Sequence, residues 1–276
     1  MTRNLTALTI AFIMMLTTAI PQNGYAQDDK RENISTLVRL LGYGAAIHNF
    51  KNYVLRGNEK YGRKANQFFS EAKLVVAKLR ENNLDNDELI AVKSIDEMID
   101  AYLRGVDIIK KIMAEEKSLA KIIIETDKKV KVDDTAAIEG INALRKSYTW
   151  NELETVEYNL GYGGAIHNFK NYLLRGKAKY RERSAEYFNK AMTVLTSLEK
   201  SETSADLKQA AVDINTTAKK YLQSLPRIKK TAEFILKSSN ARIISSMVSS
   251  SDKMVRVNDS PAITGLSALG RKYHGG

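Results

Sequence analysis

Apolar residues return every three or four positions along most of the chain, the period of α-helices that bury one face. Phe68, Ala72, Val75 and Leu79 form one stripe. Ile95, Met98, Tyr102, Ile109 and Ile112 form another. In the first half the pattern predicts helices at about Asn33–Arg56, Glu59–Asn82, Asp87–Lys128 and Thr135–Ser147, with a break in the third near Lys117. Gly57 and Gly176 suit left-handed helix ends. The run LDNDE around Asp85 offers caps, as do Asp134-Thr135 and Ser260-Pro261. Pro226 is expected to kink or end a helix in the second half.

The pattern is written twice. GYGAAIHNFKNYVLRG (Gly42–Gly57) returns as GYGGAIHNFKNYLLRG (Gly161–Gly176), changed only at Ala45/Gly164 and Val54/Leu173. Lys60–Leu79 resembles Lys179–Leu198 at the same offset. Asp134–Tyr148 resembles Asp259–Tyr273 at an offset six residues longer. Such a period exceeds that of a solenoid repeat and fits duplication of a small domain. The fold expected is all-α: two tandem antiparallel four-helix-bundle-like units, 27–150 and 151–276, related by internal duplication. They are expected to stack through a helix continuing across YTWNELETVEYNL, with Trp150 packed at the junction.

Residues 1–26 read as a secretory signal peptide. Arg3 is the positive start, Leu5–Ile20 the apolar stretch, and Gly24 and Ala26 the small residues before a cut. The alternative is a retained membrane anchor, for which the stretch is short. With the leader removed, the protein is expected to be soluble, without an integral membrane segment, and periplasmic or secreted. The 276-residue chain has no cysteine, which excludes disulfides and thiolate metal sites. Its net charge of +11 is spread along every helix among many Glu and Asp, with no compact basic tract. Nucleic acid is therefore not an expected partner.

A helical wheel of 33–56 changes the picture. Leu37, Leu40, Leu41, Gly44, Ile47, Val54 and Leu55 fall in one arc, with His48 inside it and Lys51 near its centre. Asn52 and Arg56 lie past one edge, and Phe50 and Tyr43 flank the other. The second half repeats this with His167, Lys170, Asn171, Arg175 and Tyr162. A buried lysine is costly unless paired, and a glycine inside a helix costs about 1 kcal/mol against alanine. Two readings follow. In one, the groups only pair internally: Lys51 with Asp133 or Asp134, Lys170 with Asp259, and each histidine with a backbone carbonyl or a tyrosine. In the other, they line a polar pocket in each bundle for a small polar or anionic ligand. The candidate ligand-binding residues are His48, Lys51, Asn52, Tyr43, Arg56, His167, Lys170, Asn171, Tyr162 and Arg175.

Metal and cofactor chemistry has little footing here. His48 and His167 belong to separate units, His274 lies near the end, and no i, i+4 histidine pair or CxxCH motif exists. No serine elbow or phosphate loop supports an enzyme. A lysine nucleophile has nothing to complete its mechanism.

GYGGAIHNFKNYLLRG, followed by NDSPAITGLSAL, resembles the extracytoplasmic all-helical sensor region of bacterial chemoreceptors, sensor histidine kinases and diguanylate cyclases. The resemblance spans both units and is most specific at IHNFKNY. It implies a role in signal transduction or chemotaxis. The chain lacks a second membrane helix and any output region. The expectation is a free-standing sensor module that binds a ligand or contacts a membrane receptor or sensor protein. The contrasting expectation is a structural or interaction protein with no ligand.

Overall fold

The computed structural model describes residues 22–116, 118–130, 132–238 and 240–274, and only the backbone at 22–28, 127 and 241. Of the expected leader, residues 1–21 lie outside the described residues. The described residues form helices joined by turns, with no strand among them. The first half contains α1 (Gln22–Leu41), α2 (Ala46–Arg56), α3 (Glu59–Glu81), α4 (Asn86–Glu115), α5 (Leu119–Lys129) and α6 (Thr135–Lys146). The second contains α7 (Glu152–Leu160), α8 (Ala165–Arg175), α9 (Ala178–Ser201), α10 (Ala205–Ser224), α11 (Lys229–Lys237), α12 (Ala241–Met254) and α13 (Ser260–Tyr273). No helix of the described residues is long and apolar enough to cross a membrane.

Local chemistry accounts for most boundaries. Asp85 accepts from the Glu88 N–H while the Glu88 carboxylate accepts from the Asp85 N–H, a capping box that starts α4. Asn151 and Glu154 start α7 in the same way. Gly57 and Gly176 end α2 and α8 in the left-handed region. The long third helix breaks between Glu115 and Leu119, and Pro226 follows the end of α10 at Ser224.

Two expectations fail. The helix expected over Asn33–Arg56 is interrupted between Leu41 and Ala46, with Gly44 at φ +80°; Gly163 repeats the turn at φ +77°. These glycines are not helix interiors but left-handed turn residues, a conformation that L side chains adopt at a cost. A methyl group on Gly44 would also lie 3.1 Å from the Ile263 side chain, and on Gly163 3.2 Å from that of Ile138. A single wheel therefore cannot span both sides of the turn. Nor does a continuous helix join the halves, because α6 stops at Lys146 and the Asn151 box begins a new one. Trp150 fills that corner. Its indole N–H donates to the Arg145 carbonyl (2.8 Å) and its ring lies under the Arg145 guanidinium.

Two apolar cores result. One holds Ile34, Leu41, Phe50, Phe69, Ile95, Tyr102 and Leu144; the other holds Leu160, Phe169, Phe188, Ile214, Tyr221 and Leu269. On α3 it is Phe69, rather than the expected Phe68, that is fully buried. The cores trade members: Tyr162 belongs to the first, and Leu55 and Ile123 to the second. Between them α12 packs on α5, α2 and α8, and α2 packs on α8. This central position explains why every residue of α2 from Ala46 to Leu55 is buried, not only one arc.

Candidate functional site

The turns that lead into the repeated helices α2 and α8 meet where Gly42 and Gly161 approach. A methyl group on Gly161 would lie 2.7 Å from the Glu157 carbonyl oxygen and 3.1 Å from the Cα of Gly42, so a side chain there would force the backbone to shift. These turns are held by Asn49 and Asn168. The Asn49 amide donates to the Gly44 and Ala45 carbonyls (2.9 and 2.7 Å), and the Asn168 amide to those of Gly163 and Gly164 (2.8 and 2.7 Å).

Each half supplies a carboxylate to the other. Asp259, just before α13, accepts from the Tyr43 and Tyr221 hydroxyls (2.6 Å each) and faces His48 Nε2 at 3.3 Å. Asp134, just before α6, accepts from Tyr102 (2.6 Å) and Tyr162 (2.9 Å) and faces His167 Nε2 at 3.4 Å. In each cluster one tyrosine comes from the carboxylate's own half; the other tyrosine and the histidine come from the opposite half. The own-half tyrosine is fixed by a ring sandwich. Tyr102 is stacked on Phe69 and edge-on to Phe50, and Tyr221 is stacked on Phe188 and edge-on to Phe169. Asp134 and Asp259 occupy N-cap positions, yet neither side chain caps its helix. The negative charge still sits at the positive end of the helix.

A third carboxylate, Asp252 on α12, takes Arg56 (3.1 Å), Arg256 (2.9 Å) and Lys170 (3.6 Å). This corrects the expected Lys170–Asp259 pair: α12 packs on α8 and brings Asp252 to Lys170, which reaches Asp259 only by its charge. Lys51 acts by its charge on Asp134. Asp133 is exposed and accepts from the Thr135 N–H instead. The histidines are also corrected. They face carboxylates, while their rings lie 5.1 Å (His48–Tyr43) and 5.2 Å (His167–Tyr162) from the tyrosine rings.

Burial opposes the charge on Asp134. The charge and contact of His167, the Lys51 charge and the Tyr102 hydroxyl outweigh it and hold the carboxyl well below the usual carboxylate range. Asp259 is held low in the same way, by His48, Lys170 and Tyr221. Burial lowers both histidines from their ordinary 6.5, with the Lys170 and Arg56 charges adding to it at His48 and the Lys51 and Arg175 charges at His167. Burial likewise lowers Lys170, against the pull of Asp252.

The candidate residues thus divide into two places. Tyr43, His48, Lys51, His167 and Lys170 surround one central space of about 10 Å³, at the lower limit for a single water. His48, Asn52 and Arg56 also line a cleft of about 480 Å³ with Tyr61, Lys64 and Arg256. A second cleft of similar volume runs past Tyr43 and Arg39 to Ile263, but its buried polar groups, Glu157 and His274, face each other at 3.3 Å. Tyr162 serves Asp134, Arg175 donates to the Tyr180 hydroxyl (3.1 Å), and Asn171 is buried beside His167 on α8.

Sequence reasoning missed Asp252, Tyr102 and Tyr221. A signal existed for Asp252: TDKKVKVDDTAAI (126–138) returns as SDKMVRVNDSPAI (251–263), and the shared aspartate stands in both. Among the described residues no cluster of His, Asp and Glu is arranged to hold a metal ion. The chain matches no protein-family model, no curated protein and no solved structure.

Proposed function

We propose that the chain is an exported, soluble, non-catalytic sensor-like protein of bacterial signal transduction, built from two duplicated antiparallel bundles (27–150 and 151–276). It binds a small anionic ligand and presents it to, or contacts, a membrane receptor. The observation that carries this reading is the cleft beside α2. Three cationic side chains, Arg56, Lys64 and Arg256, converge on a volume within the range of small-molecule sites, above the buried His48 and Asn52. Two of the three come from the first half and one from the second, so a ligand there reports on how the halves sit together.

Thermal-shift and calorimetric titration with carboxylates and phosphates tests the reading. A ligand at a hundred times its Kd adds about 2.7 kcal/mol of stability. Arg256→Gln, at a half-exposed rim position, should weaken that binding while leaving the fold intact. If no anion raises the melting temperature at millimolar concentration, the reading fails.

A second reading is an interaction protein whose buried Lys and His only pair internally. The small central space favours it, because nothing larger than water fits among His48, Lys51, His167 and Lys170. Under this reading Lys170 variants change stability and no anion changes anything.

A further inference from the structure

Beneath the cleft lie two polar atoms that the fold leaves unused. His48 Nδ1 and Asn52 Oδ1 are buried and have no hydrogen-bond partner. The two side chains are 5% and 1% exposed, stand one turn apart on α2, and both line the cleft. The same pair recurs on α8, where His167 Nδ1 and Asn171 Oδ1 are also without partners. Buried polar atoms are rarely left so, since a hydrogen bond to water is given up and none replaces it. Among the described residues the α8 pair borders no cleft, and His167 meets only the small central space; on α2 the pair lies beneath an open cleft that a polar group can enter.

Its chemistry is constrained from both sides. His48 Nε2 faces Asp259, so Nδ1 is the ring atom left to accept a hydrogen bond. The Asn52 amide offers either an acceptor or a donor, depending on how it is turned. A hydroxyl satisfies both, because it donates and accepts. An ammonium group also donates, but it would enter a cleft lined by three cations, Arg56, Lys64 and Arg256, against one carboxylate, Asp259. Of the nearby carboxylates, Asp252 is already shared among Arg56, Arg256 and Lys170, and Asp259 among His48, Tyr43 and Tyr221. Like charge therefore disfavours the amine.

We propose that the cleft takes a small hydroxylated anion, its hydroxyl between His48 Nδ1 and Asn52 and its negative group against Arg56, Lys64 and Arg256. This rests on the anion-binding reading above and narrows it to a ligand class.

Three probes on one carbon skeleton test it by calorimetry on the full chain: glutarate, 2-hydroxyglutarate and glutamate. The hydroxyl compound should bind about two- to tenfold more tightly than glutarate, the increment of one net hydrogen bond. Glutamate should bind more weakly than glutarate. Asn52→Leu should abolish the advantage of the hydroxyl while leaving glutarate affinity within about twofold. The order among the probes is read on the native chain, so it stands even if the variant does not fold. Equal affinity for glutarate and 2-hydroxyglutarate overturns the hydroxyl site but leaves anion binding in place. Tightest binding of glutamate overturns it in favour of an amine. No binding of any probe removes both.

Discussion

His48 and Asp259 meet at 3.3 Å although they belong to opposite halves of the chain, and the reciprocal contact, His167 to Asp134, is made at 3.4 Å. The repeated stretch therefore lies at the seam between the two halves of the chain. Its histidine and tyrosine point at carboxylates that the other half brings, while its lysine acts on carboxylates of its own half.

A double-mutant cycle across the seam should detect this. His48→Phe and Asp259→Asn, made singly and together, are expected to show coupling of about 0.5–3 kcal/mol in urea denaturation. Additive effects would mean that the two side chains are neighbours without interacting.

Asp252 and Lys170 should respond unequally to loss. Lys170→Met leaves Asp252 with Arg56 and Arg256, so its cost should stay below about 3 kcal/mol. Asp252→Leu strands a lysine that is 2% exposed, together with Arg56, and should cost about 3–5 kcal/mol. A Lys170 variant that destabilises more than the Asp252 variant would contradict this arrangement.

Acid should weaken the fold in two stages. His48 and His167 have folded pKa values below 6.5, so the unfolded chain binds their protons first and stability falls as pH drops below about 6.5. Asp134 and Asp259 are lowered from 3.8, so their contribution is complete above that value and is lost as pH falls below it. The melting temperature by circular dichroism should slope down below pH 6.5 and steepen below pH 4. A rise in stability between pH 7 and 5 would reverse the sign assigned to the histidines.

Gly44→Ala and Gly163→Ala should each cost about 1–2 kcal/mol, from the left-handed backbone alone. Crowding by Ile263 and Ile138 adds to this. Ala45→Gly, which copies the residue at 164, should be much milder. Equal effects at 44 and 45 would show that the turn tolerates a side chain.

Helix content was legible where the apolar period ran uninterrupted and the caps were local, as in α3, α4 and α6. The break at Gly44 was not, because the apolar positions of α1 and α2 happen to keep phase across the turn. Periodicity shows that a lysine lies on a buried face; it carries no information about what faces it. Hence the buried His48 and Lys170 were visible in the sequence, while their partners Asp259 and Asp252 needed the packing of α12 and α13. Tyr102 and Tyr221 read as ordinary core residues because only their hydroxyls, at the end of a ring sandwich, do anything else.

The crossed carboxylates also impose an order in time. A growing chain makes Tyr43 216 residues before Asp259, and His48 soon after Tyr43. The cluster around Asp134 is complete once α8 has been made, whereas the one around Asp259 waits for the last turn before α13. Until then Tyr43 and His48 lack the acceptor that the second half brings. The two halves therefore cannot mature one after the other: the half begun first is finished last.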